Sequence, residues 1–126
     1  MRILLLVALL LAPSITWAHL EASLEECEAK YGATQGGQDG TYVFFVGELV
    51  YVCEFNQANG RCKAMTVATK IKLPLTNAEV AAILKDNPGE GEWTPEGGST
   101  SRWKHSAGKW VAAVVNGNLV IQREFR

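Results

Sequence analysis

Cys27, Cys53 and Cys62 are the residues of this chain best placed by type and spacing to do chemistry. The last two lie in "YVCEFNQANGRCKAMTV", on either side of Asn59-Gly60, the dipeptide that most strongly marks a tight hairpin turn. With a two-residue turn there, Cys53 and Cys62 point to the same face of the hairpin. With a wider loop they stand directly opposite one another, within the ~5.5 Å between Cα atoms that a disulfide can bridge. A Cys53–Cys62 disulfide is therefore expected, with Cys27 left as a buried thiol. The other reading is three buried thiols packing as small hydrophobes. A metal centre fits less well, because structural zinc takes four ligands and no histidine lies near the trio in sequence. No metal and no cofactor are expected.

What a thiol does depends on its compartment. Met1 and Arg2 form a short positive start, Ile3 to Ala12 is an unbroken apolar run, Pro13 breaks it, and Ala18 offers a small residue for cleavage. That is the form of an export signal over residues 1–18. The run is too short for a membrane span, which needs ~20 apolar residues. Lipid attachment would need a cysteine directly after the cleavage point, and the first cysteine is Cys27. The expected mature chain, His19 to Arg126, is one domain, periplasmic or secreted, in an oxidising environment. It keeps 11 bases against 13 acids, a balance that does not ask for nucleic acid. Its final stretch is the basic one: Arg102, Lys104, Lys109, Arg123 and Arg126 stand against Glu124 alone.

Two further constellations could bind something. Cleavage after Ala18 would make His19 the N-terminus, and a terminal histidine together with His105 resembles the ligand set of copper histidine-brace proteins. Trp93, in "GEGEWTPEGGST", and Trp103, in a short strand, could line a groove for a glycan or peptide, since aromatic rings at loops and strand edges are common anchors. The alternative for both is packing of a long loop onto its own domain. Trp110 shares a face with Ala112, Val114, Leu119 and Ile121 and reads as core. Nucleophile motifs are missing: "GGST" is not G-x-S-x-G, and H-E-x-x-H does not occur. A non-enzymatic role is expected.

The elements that must position these residues read as two similar halves. Ser23-Leu24-Glu25-Glu26 and Thr76-Asn77-Ala78-Glu79 both have the form of a capping box, and Leu75 with Val80 can staple the second helix. Leu24, Cys27 and Tyr31 share one helix face; Val80, Ile83 and Leu84 share the other's. Gly32 ends the first helix and Asn87-Pro88-Gly89 the second. Three β-prone runs follow each helix: Tyr42–Val46, Leu49–Phe55 and Arg61 to about Thr69, then Arg102–His105, Lys109–Val115 and Leu119–Phe125. The expected fold is α+β, two αβββ repeats (about 22–70 and 74–126) with helices packed on antiparallel sheet and one shared core.

The order of helix, "KYG", strand, Gly turn, strand, Asn-Gly turn and strand resembles the small αβββ modules of periplasmic proteins, such as the SmpA/OmlA outer-membrane assembly lipoproteins and β-lactamase inhibitory protein. It is also similar to small exported bacterial proteins of unknown function whose second half has the form "EVAAILKDNPGEGEW". The named families imply protein binding without catalysis. The expected function is a protein- or peptide-binding module of the cell envelope. Copper binding at His19 and His105, or glycan binding at Trp93 and Trp103, are the alternatives.

Overall fold

A computed structural model describes residues 21–86, 92–98, 101–106 and 110–123. Both capping boxes form. The Ser23 amide donates to Glu26 Oε1 (2.9 Å) and the Glu26 amide to Ser23 Oγ (3.2 Å), opening α1, Leu24–Tyr31. Thr76 and Glu79 make the same exchange at 2.9 and 3.1 Å at the start of α2, Asn77–Asp86. Lys30 ties the two helix ends together, its Nζ lying 3.1 Å from both the carboxylate and the carbonyl of Asp86. A cation is favourable at that C-terminus because the last carbonyls of a helix carry partial negative charge.

Eight strands follow: β1 (Gly37–Gln38), β2 (Thr41–Val46), β3 (Leu49–Phe55), β4 (Cys62–Thr69), β5 (Trp93–Pro95), β6 (Arg102–His105), β7 (Trp110–Val115) and β8 (Asn118–Arg123). They form one antiparallel sheet in the order β1-β2-β3-β4-β8-β7-β6-β5. The expected α+β fold of two αβββ repeats with helices packed on sheet is thereby corrected. Among the described residues there are eight strands where six were expected, and the pairing of Ala64–Val67 on β4 with Leu119–Gln122 on β8 welds them into a single sheet. β1 exists because Asp39 (φ 55°) and Gly40 (φ 83°) make a two-residue turn that folds Gln38 back onto Thr41. β5 exists because Trp93–Pro95 pairs along β6, and as the edge strand it tolerates a proline.

One core serves the molecule. Cys27 and Tyr31 of α1 and Val80, Ile83 and Leu84 of α2 belong to the same buried cluster as Phe44, Tyr51, Met65, Val67, Ala112, Leu119 and Ile121 of the sheet. Tyr31 fixes α1 over β2 and β3, its ring centroid 5.6 Å from that of Phe44 and 4.7 Å from that of Tyr51. The sheet's inner face is therefore set by residues 42, 44 and 46, then 51, 53 and 55, and across the centre by 65, 67, 119, 121 and 112. Every alternate residue points the other way. Among the described residues no helix is long and apolar enough to cross a membrane. Residues 1–18, His19, the stop at Asn87-Pro88-Gly89, Lys109 and the strand end at Glu124-Phe125 lie outside the described residues.

Candidate functional site

The cysteines do meet, in a different arrangement from the expected one. Asn59-Gly60 is no two-residue turn. The Gly60 amide donates to the Asn56 carbonyl (2.7 Å), the Arg61 amide to Asn59 Oδ1 (2.9 Å) and the Ala58 amide to Asn56 Oδ1 (2.8 Å), which builds a wider loop over 56–61. A bulge at Glu54/Phe55 then sets the register: Cys53 faces Met65, and Cys62 faces Phe55. Diagonal neighbours across such a pair lie ~7–8 Å apart, past the comfortable reach of a disulfide. Cys27, Cys53 and Cys62 all stand as free thiols, buried to within 1% of full enclosure. Cys53 is the middle member. Its hydrogen bonds to Cys27 and Cys62, and after them burial, push its pKa up, while the hydrogen bond from Cys53 lowers that of Cys27 against the effect of burial. Cys62 also donates to the Ala64 carbonyl at 3.4 Å.

The aromatic candidates are on the inner side. Trp103 pairs with Ala112 and Pro95, Trp93 pairs with His105, and both indoles pack half-buried against the core, as does Trp110. The Trp93 ring meets the buried His105 edge-on at 5.0 Å. That geometry packs the Trp93 ring against its own domain. His105 is the partner assigned to copper, and no group of three or more histidine, cysteine or acidic side chains able to hold a metal occurs among the described residues. A depression of about 210 Å³ beside Gly40, Glu54, Gln57 and Lys63 is smaller than the ~300–1,000 Å³ usual for ligand sites.

The surface that stands out is the outer face of the sheet. Through the register, Phe45, Val50 and Ala68 form one row on β2, β3 and β4, with the Lys70 ammonium 4.8 Å over the Phe45 ring, and Val115 pairs with Asn118 on β7 and β8; Val43, Val52, Thr66, Val120 and Ala113 form the next row and end at Arg102. A third row runs Thr41, Glu54, Ala64, Gln122, Val111, Lys104. The side chains of the first two rows are half-buried or exposed, Phe45 at 46% and Val115 at 49%. The buried helix side chains all join the inner cluster, and the first two rows of the face opposite are mostly valine, alanine and phenylalanine, with Thr66 at the centre and the charged and polar residues Glu54, Gln122, Arg102 and Lys104 at the margin. Of these residues only Arg102 and Lys104 were picked out from the sequence, as part of a basic stretch. The signal was present, because "TYVFFV", "LVYV" and "WVAAVV" are apolar at both parities, where a sheet wetted on one side alternates.

What the fold and this face define is a sheet-based protein with one closed side and one apolar open side. No family model, no curated protein and no solved structure matches the chain, so the likeness to outer-membrane assembly lipoproteins and β-lactamase inhibitory protein gains no support.

Proposed function

We propose that the chain is a non-enzymatic, exported protein-binding module of the cell envelope, released from residues 1–18, which engages a protein partner through the outer face of its sheet. The observation that carries the reading is the outward row Val43, Val52, Thr66, Val120 and Ala113 across the middle strands, apolar except at Thr66. Edge pairing is the other way a sheet takes a partner, and both edges are poor templates: β1 has two residues, and β5 has three, one of them Pro95. Binding is therefore assigned to the face.

A photo-crosslinking residue at position 52, compared with one at the exposed Lys85 of α2, tests this in the cells that make the protein. Position 52 is expected to give a covalent protein adduct and position 85 none. Equal yields, or none from 52, would overturn the proposal.

A further inference from the structure

We propose that the end of the sheet where β4 hands the chain on to α2 is a membrane-docking tip, which seats the protein on the surface of an anionic bilayer without crossing it. This docking goes beyond the protein-binding reading above: it uses the strand ends and leaves the middle of the outer face open to a partner.

Among the described residues, four large apolar side chains stand exposed, Phe45, Ile71, Leu73 and Val115, and all lie at one end of the sheet. The register brings that end together. Val46 pairs with Leu49, Leu49 with Thr69, Val67 with Leu119 and Val115 with Asn118, so the turns at 47–48 and 116–117 flank the segment 70–74 that leaves β4. Ile71 and Leu73 are the most open of the four, at 66% and 60%. They are carried on a turn past the last residue of β4, where no groove holds them.

Positive charge is interleaved with this apolar surface. The order is Lys70-Ile71-Lys72-Leu73, and the Lys70 ammonium lies 4.8 Å over the Phe45 ring. Against these lysines the two turns and the segment carry a single acid, Glu48. Lysine is depleted from the cores of protein interfaces, where its ammonium would have to be desolvated. At a bilayer surface the same alternation is complementary: apolar side chains and lysine stems enter the headgroup region while the ammonium groups stay among the lipid phosphates. The alternation therefore selects a bilayer over a protein as the occupant.

The backbone of the tip suits the same place. The Lys70 amide donates to the Glu48 carbonyl (2.9 Å), the Lys72 amide to the Thr69 carbonyl (3.3 Å) and the Leu75 amide to the Gly117 carbonyl (2.9 Å). The Thr69 hydroxyl donates to the Leu73 carbonyl at 2.7 Å. A backbone group stripped of water without a partner is costly in lipid, and bonds made within the tip avoid that cost. They also tie the segment to both turns, so that the exposed side chains are presented together.

Vesicle binding by the full chain tests the proposal. The probe is a bilayer of phosphatidylglycerol and phosphatidylcholine, about one part to two, set against phosphatidylcholine alone. Half of the protein is expected to bind at roughly 0.1–1 mM anionic lipid, the range of a single reversible anchor. Lys70→Gln with Lys72→Gln is expected to weaken this about 20-fold, near fivefold for each lysine. Ile71→Asp with Leu73→Asp alters exposed residues only, and is expected to keep the circular dichroism of the parent and lose vesicle binding. Because the native thiols are buried, a polarity-sensitive dye can be placed on Leu73→Cys, or on Ala58→Cys in the loop at the opposite end of the sheet. On anionic vesicles the dye at 73 is expected to shift to the blue and the dye at 58 to stay unshifted. No binding at ~1 mM lipid, binding kept by the Asp double variant, or binding with no greater shift at 73 than at 58 overturns the inference. So does a shift at 73 that grows with protein concentration in the absence of lipid, which would put a second copy on the tip. None of these results alters the crosslink expected from position 52, so the two readings fail separately.

Discussion

Cys53 is held between two other thiols and beneath α1, and this decides how it behaves. Hydrogen bonds to Cys27 and Cys62 keep it protonated, and complete burial of Cys27 and Cys53 keeps reagents away from both. A thiol reacts as its thiolate and only where an oxidant or disulfide can reach it. The cluster is therefore expected to be inert while the protein is folded, despite being the densest concentration of nucleophiles in the chain. Titration with an aromatic disulfide reagent should find no reactive thiol in the native protein and all three after denaturation. One reactive thiol on unfolding would mean that two cysteines are bridged, and fast reaction in the native state would mean that the cluster is open. What the sequence offered here was the nearness of the cysteines. Their pairing depended on a bulge at Glu54/Phe55, which no local rule places.

At the scale of elements, the hairpin β7–β8 shows how a turn and a long-range contact share one residue. Asn116 (φ 52°) and Gly117 (φ 82°) form the turn, both in the left-handed region where glycine has no steric cost. The Gly117 carbonyl accepts the Leu75 amide at 2.9 Å, bringing in the segment that leads to α2. A Cβ on Gly117 would lie 2.9 Å from the Cα and Cβ of Pro74, whereas one on Gly60 (φ 71°) would meet nothing within 4 Å. Gly60→Ala is thus expected to lose only the backbone preference, ~1 kcal/mol, and Gly117→Ala ~2–3 kcal/mol, because the linker must also move. Urea unfolding of the two variants checks this, and equal losses would show that the Pro74 contact is slack. The same comparison explains what could be read in advance. Caps at Ser23 and Thr76, and turns at Gly47 and Asn116-Gly117, are local and were legible; Asp39-Gly40 carried an equally strong signal but closes a strand of only two residues. The β4–β8 pairing, which makes one sheet of eight strands, joins residues 52 to 58 positions apart and has no local signature. The outer face was hidden for another reason: each apolar run was assigned to a single core, although a run apolar at both parities has a second side to cover.

For the whole molecule, the core couples stability to alkali through phenols that sit under the helices. Burial, then the charges of Asp86 and Cys53, push Tyr51 from 10.0 up to about 12, and Tyr31 is raised as well, again by burial first. Both rings touch one another between α1 and the sheet, so neither can ionise without water entering the core. The sign follows from proton counting. A tyrosine whose folded pKa lies above its unfolded value keeps its full contribution below pH ~10; above that, the unfolded chain ionises first and stability falls until the folded pKa is passed. Each such group removes ~1.4 kcal/mol per pH unit within that window, and the raised Cys53 begins the decline near pH ~9. Denaturant unfolding should therefore give a stability that falls between pH ~10 and ~12, where the phenols of the unfolded chain ionise first, while the lowered Cys27 acts in the opposite sense below that window. Tyr51→Phe keeps the ring and its packing and removes the ionising group. It is expected to make the fall shallower by about one proton, at the cost of a small loss at neutral pH. An unchanged slope in this variant would show that the phenols ionise in the folded state as freely as in water, and that α1 does not seal the sheet at Tyr51.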